Sequence, residues 1–353
     1  MKKIRMGLIG LGGISAKHIS ELRLIDEAEV VAICDVNPAA LAEKGEALGI
    51  PEEKRYTDYR DLLADGEVDA VDIMTPNCYH GEMAIAALKS GKHVNLEKPV
   101  AMSYEEALAI AEEAEKTDKC IMTCFSYRFF PAVRYAKDLV TSGKLGDIVG
   151  VNVCYLKESG LWHGRRLEWR FEKSMAGSGV VGDLGVHLID LAQLLAGKIT
   201  DLCATQSIVV KKRPALDSDE IKDVETDDQT GFLAVFESGA EGTFHITRCA
   251  IGNKNTIKYD LYGTKGAVSF NLNNPKVLDV CIGEGDPRQL KFETVSVPEE
   301  YYLNQENAFI NAILGKRDEL FPTIYDGAQG QLIVDSIIKS AKERRWISTV
   351  IDN

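Results

Sequence analysis

Apolar residues in the first third of the chain come in short runs, each followed by a stretch in which they recur every three or four positions. Ile4-Arg5-Met6-Gly7-Leu8-Ile9, Val30 to Cys34, Ala70 to Met74, His93 to Leu96 and Cys120 to Cys124 read as buried strands. Helical patterns lie between them. One carries Ile19, Leu22 and Leu24; others run from Pro38 to Leu48, Tyr59 to Ala64 and Gly81 to Ser90, and a capping box of Ser103 with Glu106 opens one to about Thr117. Strands alternating with helices of this length imply right-handed crossovers and a parallel sheet, which binds ligands at the carboxyl ends of its strands.

The rhythm changes after Cys124. A helix from Pro131 to Ser142, a strand from Ile148 to Leu156, a polar and aromatic loop from Lys157 to about Ser178 and a helix from Val180 to Leu195 follow. From Leu202 to Val297 the pattern is short alternating strands joined by glycine turns, the mark of a largely antiparallel sheet. Helices from Tyr301 to Leu314 and Ile324 to Glu343 close the chain. The fold class is therefore α/β, in two domains: 1–122 with a parallel sheet and 123–353 with an open, mostly antiparallel one, the last helix being able to pack back on the first domain.

Between the first two strands lies Gly10-Leu11-Gly12-Gly13-Ile14-Ser15, and the second strand ends on Asp35. Glycines at 10 and 12 let the backbone approach a pyrophosphate, the following helix offers unpaired N–H groups, and the carboxylate can accept both ribose hydroxyls. A dinucleotide fits all three. Ser15 stands where the fingerprint has its third glycine, so helix and strand are expected to pack slightly less closely. Asp35 would repel a 2′-phosphate and Val36-Asn37-Pro38 offers no cation to neutralise one, which favours NAD over NADP. The alternative use of Asp35 is to cap the next helix, though Asn37 ahead of Pro38 suits that better.

Charge and composition narrow the ligand. At 353 residues with 54 acids against 41 bases, the net charge is −13, which argues against nucleic acid and anionic membranes and for a small molecule. Lys2, Lys3 and Arg5 precede an apolar run broken by four glycines, so the run reads as a strand rather than a signal peptide, and no apolar stretch is expected to reach the ~20 residues of a membrane span. None of the eight cysteines forms a CxxC pair, pointing to the cytosol, and Cys120 and Cys124 on one strand face read as core packing.

Glu97-Lys98-Pro99 follows a strand at the carboxyl edge of the sheet, where a cation can stabilise a developing alkoxide or tune a neighbouring acid/base. Asp183 and His187, four apart on a predicted helix, can present both side chains to one substrate; histidine is suited to moving a proton near neutral pH. No third ligand lies at a telling spacing, so no metal is expected. The loop from Lys157 to Lys173 carries Trp162, His163, Arg165, Arg166, Trp169 and Arg170, suited to the C–H faces and hydroxyls of a sugar or cyclitol ring, or equally to anchoring the loop or a neighbouring subunit.

Together with Thr75-Pro76-Asn77 and His80, Gly91 to Pro99, Arg128-Phe129-Phe130-Pro131, Gly143-Lys144-Leu145-Gly146 and Gly179 to Asp190, these features resemble the glucose-fructose oxidoreductase / inositol dehydrogenase family, Gfo/Idh/MocA, and most nearly its inositol dehydrogenases. The resemblance implies a Rossmann domain, then a sheet domain used for tetramer or dimer contacts. It implies a catalytic set of Lys98, Asp183 and His187, an NAD site of Gly10, Gly12, Gly13, Ile14, Asp35, Thr75, Pro76, Asn77, His80, Glu97 and Lys98, and substrate contacts from Tyr127, Arg128, Trp162, His163 and Arg170 beside the catalytic set. The expected reaction is NAD-dependent oxidation of a cyclitol or sugar hydroxyl, with substrate between the two domains. An NAD-recycling glycosidase of the same fold and a non-catalytic NAD-sensing module are the alternatives.

Overall fold

The computed structural model of the chain describes residues 3–283 and 285–351; Lys2 lies outside them. The chain forms two compact units, Met1–Ser126 with Leu303–Gln331, and Tyr127–Tyr302 with Leu332–Asn353.

The first unit contains β1 (Ile4–Ile9), α1 (Ser15–Leu22), β2 (Ala28–Cys34), α2 (Pro38–Leu48), β3 (Arg55–Tyr56), α3 (Tyr59–Ala64), β4 (Ala70–Ile73), α4 (His80–Lys89), β5 (His93–Leu96), α5 (Tyr104–Ala114) and β6 (Ile121–Thr123). The sheet order is β3-β2-β1-β4-β5-β6, every pair parallel. This is the order of a doubly wound sheet whose strand sequence reverses beside β1. Val71, Ile73, Val94 and Leu96 are fully buried, because a sheet covered on both faces has no polar side. Local signals act as read: Asn37 accepts from Ala39 N at 3.0 Å with Pro38 at the first helical position of α2. At α5, Ser103 accepts from Glu106 N at 3.3 Å, while the Glu106 carboxylate takes the amide of Met102 at 2.7 Å rather than that of Ser103.

The second unit opens with α6 (Pro131–Thr141) and β7 (Ile148–Leu156), then a loop containing α7 (Lys173–Ala176), and α8 (Val186–Ala196). The strands β8 (Ile199–Ser207), β9 (Lys212–Pro214), β10 (Ile221–Asp223), β11 (Gln229–Phe236), β12 (Glu241–Thr247), β13 (Thr256–Gly263), β14 (Gly266–Asn271), β15 (Val277–Ile282) and β16 (Glu293–Ser296) follow, and β17 (Ile347–Ser348) comes at the end. The large sheet runs β16-β15-β14-β13-β7-β12-β11-β8-β17 and is antiparallel except for β7 with β12. Its strands alternate: in β11, Thr230, Phe232, Ala234 and Phe236 are buried while Leu233 is exposed. The buried face meets α8, whose Leu188 carbonyl accepts from the Tyr259 hydroxyl at 2.7 Å.

Three expectations need correction. The helix expected from Tyr301 is α9, Gln305–Ile313, because Asn304 caps it by accepting from Asn307 N at 2.7 Å. It belongs to the first unit, as does the start of α10 (Ile324–Glu343). The helix expected from Val180 to Leu195 begins with a π turn, Val181–Gly185, before α8. Finally, an 18-residue window within Lys173–Ala196 is apolar enough to be compared with a membrane span, at a mean hydropathy of 1.4, but 78% of that window is buried inside the protein.

Candidate functional site

In the first unit the glycine turn between β1 and α1 is built for close approach. Gly10 has φ +89°, and a Cβ there would lie 2.8 Å from the Met74 carbonyl carbon, so only glycine fits against the end of β4. Beyond Gly12 and Gly13 a Cβ would meet nothing within 4 Å, and no side chain caps α1. An uncapped helix N-terminus facing open space is the arrangement that receives a phosphate. Ser15 fills the third glycine position while wholly buried, its hydroxyl donating to the Gly12 carbonyl at 2.7 Å, so the hydroxyl ties the turn to the helix.

Asp35 stands at the end of β2 with both carboxylate oxygens engaged by main chain: Leu11 N at 2.7 Å and Asn37 N at 2.8 Å. The first contact ties the acid to the glycine turn. Each oxygen retains further acceptor capacity, so the geometry is compatible with ribose hydroxyls. On the neighbouring loop Asn77 is buried, and the His80 ring lies 2.7 Å from the Pro99 carbonyl oxygen and 2.9 Å from that of Thr75. His80 is 1% exposed with both ring nitrogens at main-chain carbonyls, so it braces the loops carrying Thr75 and Pro99. Burial pulls its pKa down, opposed by those two carbonyls. Lys98 is half-buried and its amide donates to Glu97 Oε2 at 3.0 Å.

In the second unit His187 is buried in the first turn of α8, and its ring stacks on Tyr127 at 4.2 Å between centroids and 23° between planes. The Tyr127 and Tyr155 hydroxyls are 2.9 Å apart, and Tyr155 donates to Asn255 Oδ1 at 3.0 Å. Burial pushes the Tyr155 phenol pKa up, with Tyr127 and Asp183 adding to the shift. Asp183 sits in the π turn with Arg170 Nε 3.7 Å from its carboxylate, and that guanidinium covers the Trp169 ring at 4.3 Å. The result is a half-buried set of aromatic faces, one imidazole and one paired carboxylate. A π turn is a frequent feature of functional sites.

Arg128, expected at the substrate, is 5% exposed and its guanidinium engages Asp190, with Nε 2.9 Å from Oδ2 and Nη2 2.5 Å from Oδ1. It braces the turn bearing Tyr127 against α8. The 157–173 loop also divides. Arg165 bonds Glu168 and the Ser159 carbonyl, Arg166 bonds the Ala215 and Ser218 carbonyls, and Trp162 is 59% exposed with His163 exposed beside it. Of that loop, Trp169 and Arg170 join the set around Asp183. Tyr155 and Asn255 are additions that sequence reading missed: Tyr155 occupies an inward position of β7 and reads as core.

The description "Oxidoreductase family, NAD-binding Rossmann fold" matches residues 4–125, and "GFO/IDH/MocA C-terminal domain" matches 133–269. The levoglucosan dehydrogenase of Pseudarthrobacter phenanthrenivorans is 31% identical over 98% of both chains. The myo-inositol 2-dehydrogenase of Thermotoga maritima is 29% identical, again over 98% of both. A solved structure of levoglucosan dehydrogenase in complex with NADH and levoglucosan superposes with a TM-score of 0.90 at 29% identity, covering 99% of this chain and 100% of that one. With a levoglucosan enzyme matching at least as well as an inositol one, the nearness to inositol dehydrogenases expected from sequence is not upheld. The glycine turn, the acid at its side and the full-length matches agree: the chain is an NAD-binding oxidoreductase and belongs to the Gfo/Idh/MocA family.

Proposed function

We propose that this protein oxidises a ring hydroxyl of a sugar, anhydrosugar or cyclitol, with Lys98, Asp183 and His187 as its catalytic set. The observation that carries the reading is the stack of His187 on Tyr127, linked through Tyr155 to the surroundings of Asp183. Aromatic rings offer faces to sugar C–H groups, and the imidazole beside them can accept a hydroxyl proton. His187 removes that proton, the Lys98 ammonium stabilises the alkoxide, and Asp183, held by Arg170, orients an adjacent hydroxyl. Gly10, Gly12, Gly13, Ile14 and Asp35 would hold NAD, with Thr75, Pro76, Asn77 and Glu97 on the loops behind it. NAD, when bound, supplies the acceptor for the hydride leaving the same carbon.

A panel of levoglucosan, inositols, monosaccharides and aryl glycosides, assayed with NAD by NADH absorbance, tests the reading. Accumulating NADH with one ring substrate is the expected result. Release of phenol from an aryl glycoside without net NADH would transfer the site to glycoside cleavage, and NAD binding with no turnover of any compound would leave only a sensing role. We also propose a homo-oligomer assembled on the outer face of the large sheet, which carries Cys154, Cys203, Leu233, Thr243 and His245 around a groove of about 520 Å³. Light scattering at micromolar concentration should give a multiple of the 38.8 kDa chain mass, and a monomer would remove this assignment.

A further inference from the structure

Behind the Glu97-Lys98-Pro99 turn the first unit buries three carboxylates around one imidazole. His18, on α1 and 1% exposed, places Nδ1 2.8 Å from Asp72 Oδ2 on β4 and 3.0 Å from Glu306 Oε1 on α9. Its other nitrogen, Nε2, lies 3.1 Å from Glu97 Oε1. Glu97 then uses Oε2 to accept the Lys98 amide at 3.0 Å. Asn95 and Gln305 donate to Glu306 at 3.1 Å, and the Cys124 thiol closes the cluster on Asn95 Oδ1, also at 3.1 Å. The charged and titratable groups around His18 are thus Asp72, Glu97 and Glu306, with Cys124 beside them.

His18, Asp72 and Cys124 are close enough to suggest a metal site. The spacing argues otherwise. Tetrahedral ligands at about 2.0–2.2 Å from zinc stand about 3.3 Å or more apart, whereas the 2.8 Å between His18 and Asp72 is a hydrogen bond. Both ring nitrogens face carboxyl oxygens, which only accept when ionised, so an imidazolium satisfies both while those carboxylates carry their charge. Burial opposes that charge, yet Asp72 and Glu306 outweigh it and raise the His18 pKa well above its ordinary value. Burial raises the Asp72 pKa to about 7 despite the opposing pull of His18, with Glu306 and Glu97 adding to the rise, so the cluster holds its protons tightly.

We infer that His18 is a positioning residue for Lys98: its imidazolium, gripped by Asp72 and Glu306, donates to Glu97 and so fixes the carboxylate that holds the Lys98 amide. The inference rests on the proposed catalytic use of Lys98. Four sequence-distant segments meet at one ring, and Glu97 carries the cluster on to the main-chain amide of that lysine. Such a linkage changes how accurately the ammonium is aimed without touching the glycine turn that serves the cofactor.

The test compares wild type with His18→Gln and the milder Glu306→Gln, which leaves Asp72 to grip the ring and serves if His18→Gln fails to fold. With the panel's best ring substrate, kcat should fall about tenfold in His18→Gln and about threefold in Glu306→Gln, with the NADH dissociation constant within about threefold of wild type. The primary deuterium isotope effect on kcat should rise, because a misaimed lysine slows hydride transfer itself. A lower kcat with an unchanged isotope effect means fewer active molecules and overturns the inference. Two readouts need no substrate and so separate this inference from the functional reading. Nitrogen-15 spectra of the NADH complex should show both His18 nitrogens protonated at pH 7.5. The acetylation rate of Lys98 by acetic anhydride, followed by mass spectrometry, should change at least threefold in His18→Gln. A neutral ring or an unchanged rate would each sink the positioning role.

Discussion

His18 and His187 sit in polar clusters that differ in almost every physical respect. Around His18 the contacts are between ionisable groups: three carboxyl groups with relative exposures of 0–9% close on an imidazole at 2.8–3.1 Å. Around His187, the contacts are mainly faces and hydroxyls: a stacked tyrosine, a second phenol, a tryptophan under an arginine and a half-buried Asp183. A cluster whose imidazole has both nitrogens engaged by buried carboxylates can hold a backbone still, although Asp72 Oδ1 and Gln305 Oε1 there have no hydrogen-bond partner. One that leaves aromatic faces and a half-exposed acid can take a polyhydroxylated ring. The lesson is that burial and perturbed protonation alone do not mark a ligand site here, since both clusters hold shifted groups, His18 and Asp72 in one and Tyr155 in the other.

The largest expected effect breaks a brace of the open cluster. Asp190→Asn leaves the Arg128 guanidinium buried beside a neutral partner, and loss of one member of a buried ion pair costs about 3–5 kcal/mol. Denaturant unfolding should show that loss. A change under 1 kcal/mol would mean Arg128 is solvated and available to a ligand, contrary to its burial.

Next come the two groups proposed to act on the substrate. Lys98→Ala and His187→Ala should each lower kcat by roughly 100-fold or more while NADH affinity, measured by fluorescence titration, stays within a few-fold. Near-normal turnover in either variant would remove that residue from the mechanism. The closed cluster has its own pH signature. Because the folded pKa of His18 is raised, its contribution to stability is full below the unfolded value of about 6.5 and is lost as pH climbs through the raised one. The stability gap between wild type and His18→Gln should therefore narrow towards alkaline pH, and a gap that widens there would deny His18 its positive charge.

Much of the first unit is legible in the chain. Its strands are short, mostly apolar runs punctuated by glycine and cap residues, so α2, α3 and β5 fall on the residues read for them. Leu303–Gln331 joins that unit without any local signal, because Glu306 meets His18 and Asn95 only through folding. The second unit is harder for physical reasons. A π turn has the same apolar pattern as an α-helix, so Val181–Gly185 reads as one. Arginines in a polar loop look alike in sequence, yet Arg165 bonds Glu168 and the Ser159 carbonyl and Arg166 the Ala215 and Ser218 carbonyls, while Arg170 reaches Asp183. Arg128 follows the same logic in reverse: a charged residue reads as exposed until its partner, 62 positions away, is seen.

A smaller effect is expected at Asp35. Asp35→Ser with Val36→Arg removes repulsion from a 2′-phosphate and adds a cation, worth about 1–3 kcal/mol, so NADP should gain on NAD by roughly 5- to 150-fold. Both Asp35 oxygens also accept main-chain amides, and some loss of NAD affinity is expected with the switch. An unmodified protein that already binds NADP as tightly as NAD would take the ribose role away from Asp35.

The sharpest division within one loop gives the smallest effect. Arg170 meets Asp183 at 3.7 Å, whereas Trp162 is 59% exposed and its ring has Arg165 6.0 Å away, at the limit of a cation–π contact. Arg170→Ala should raise KM for the ring substrate by about 5- to 100-fold, since a charged donor beside the substrate's acid is lost. Trp162→Ala should stay within about twofold in both kcat and KM, because a side chain already in water has little contact to lose. Equal rises in KM for both variants would show that the loop folds its tip onto the bound ring. The open cluster would then extend over the whole segment from Trp162 to Arg170, and its exposure would describe only the state without ligand.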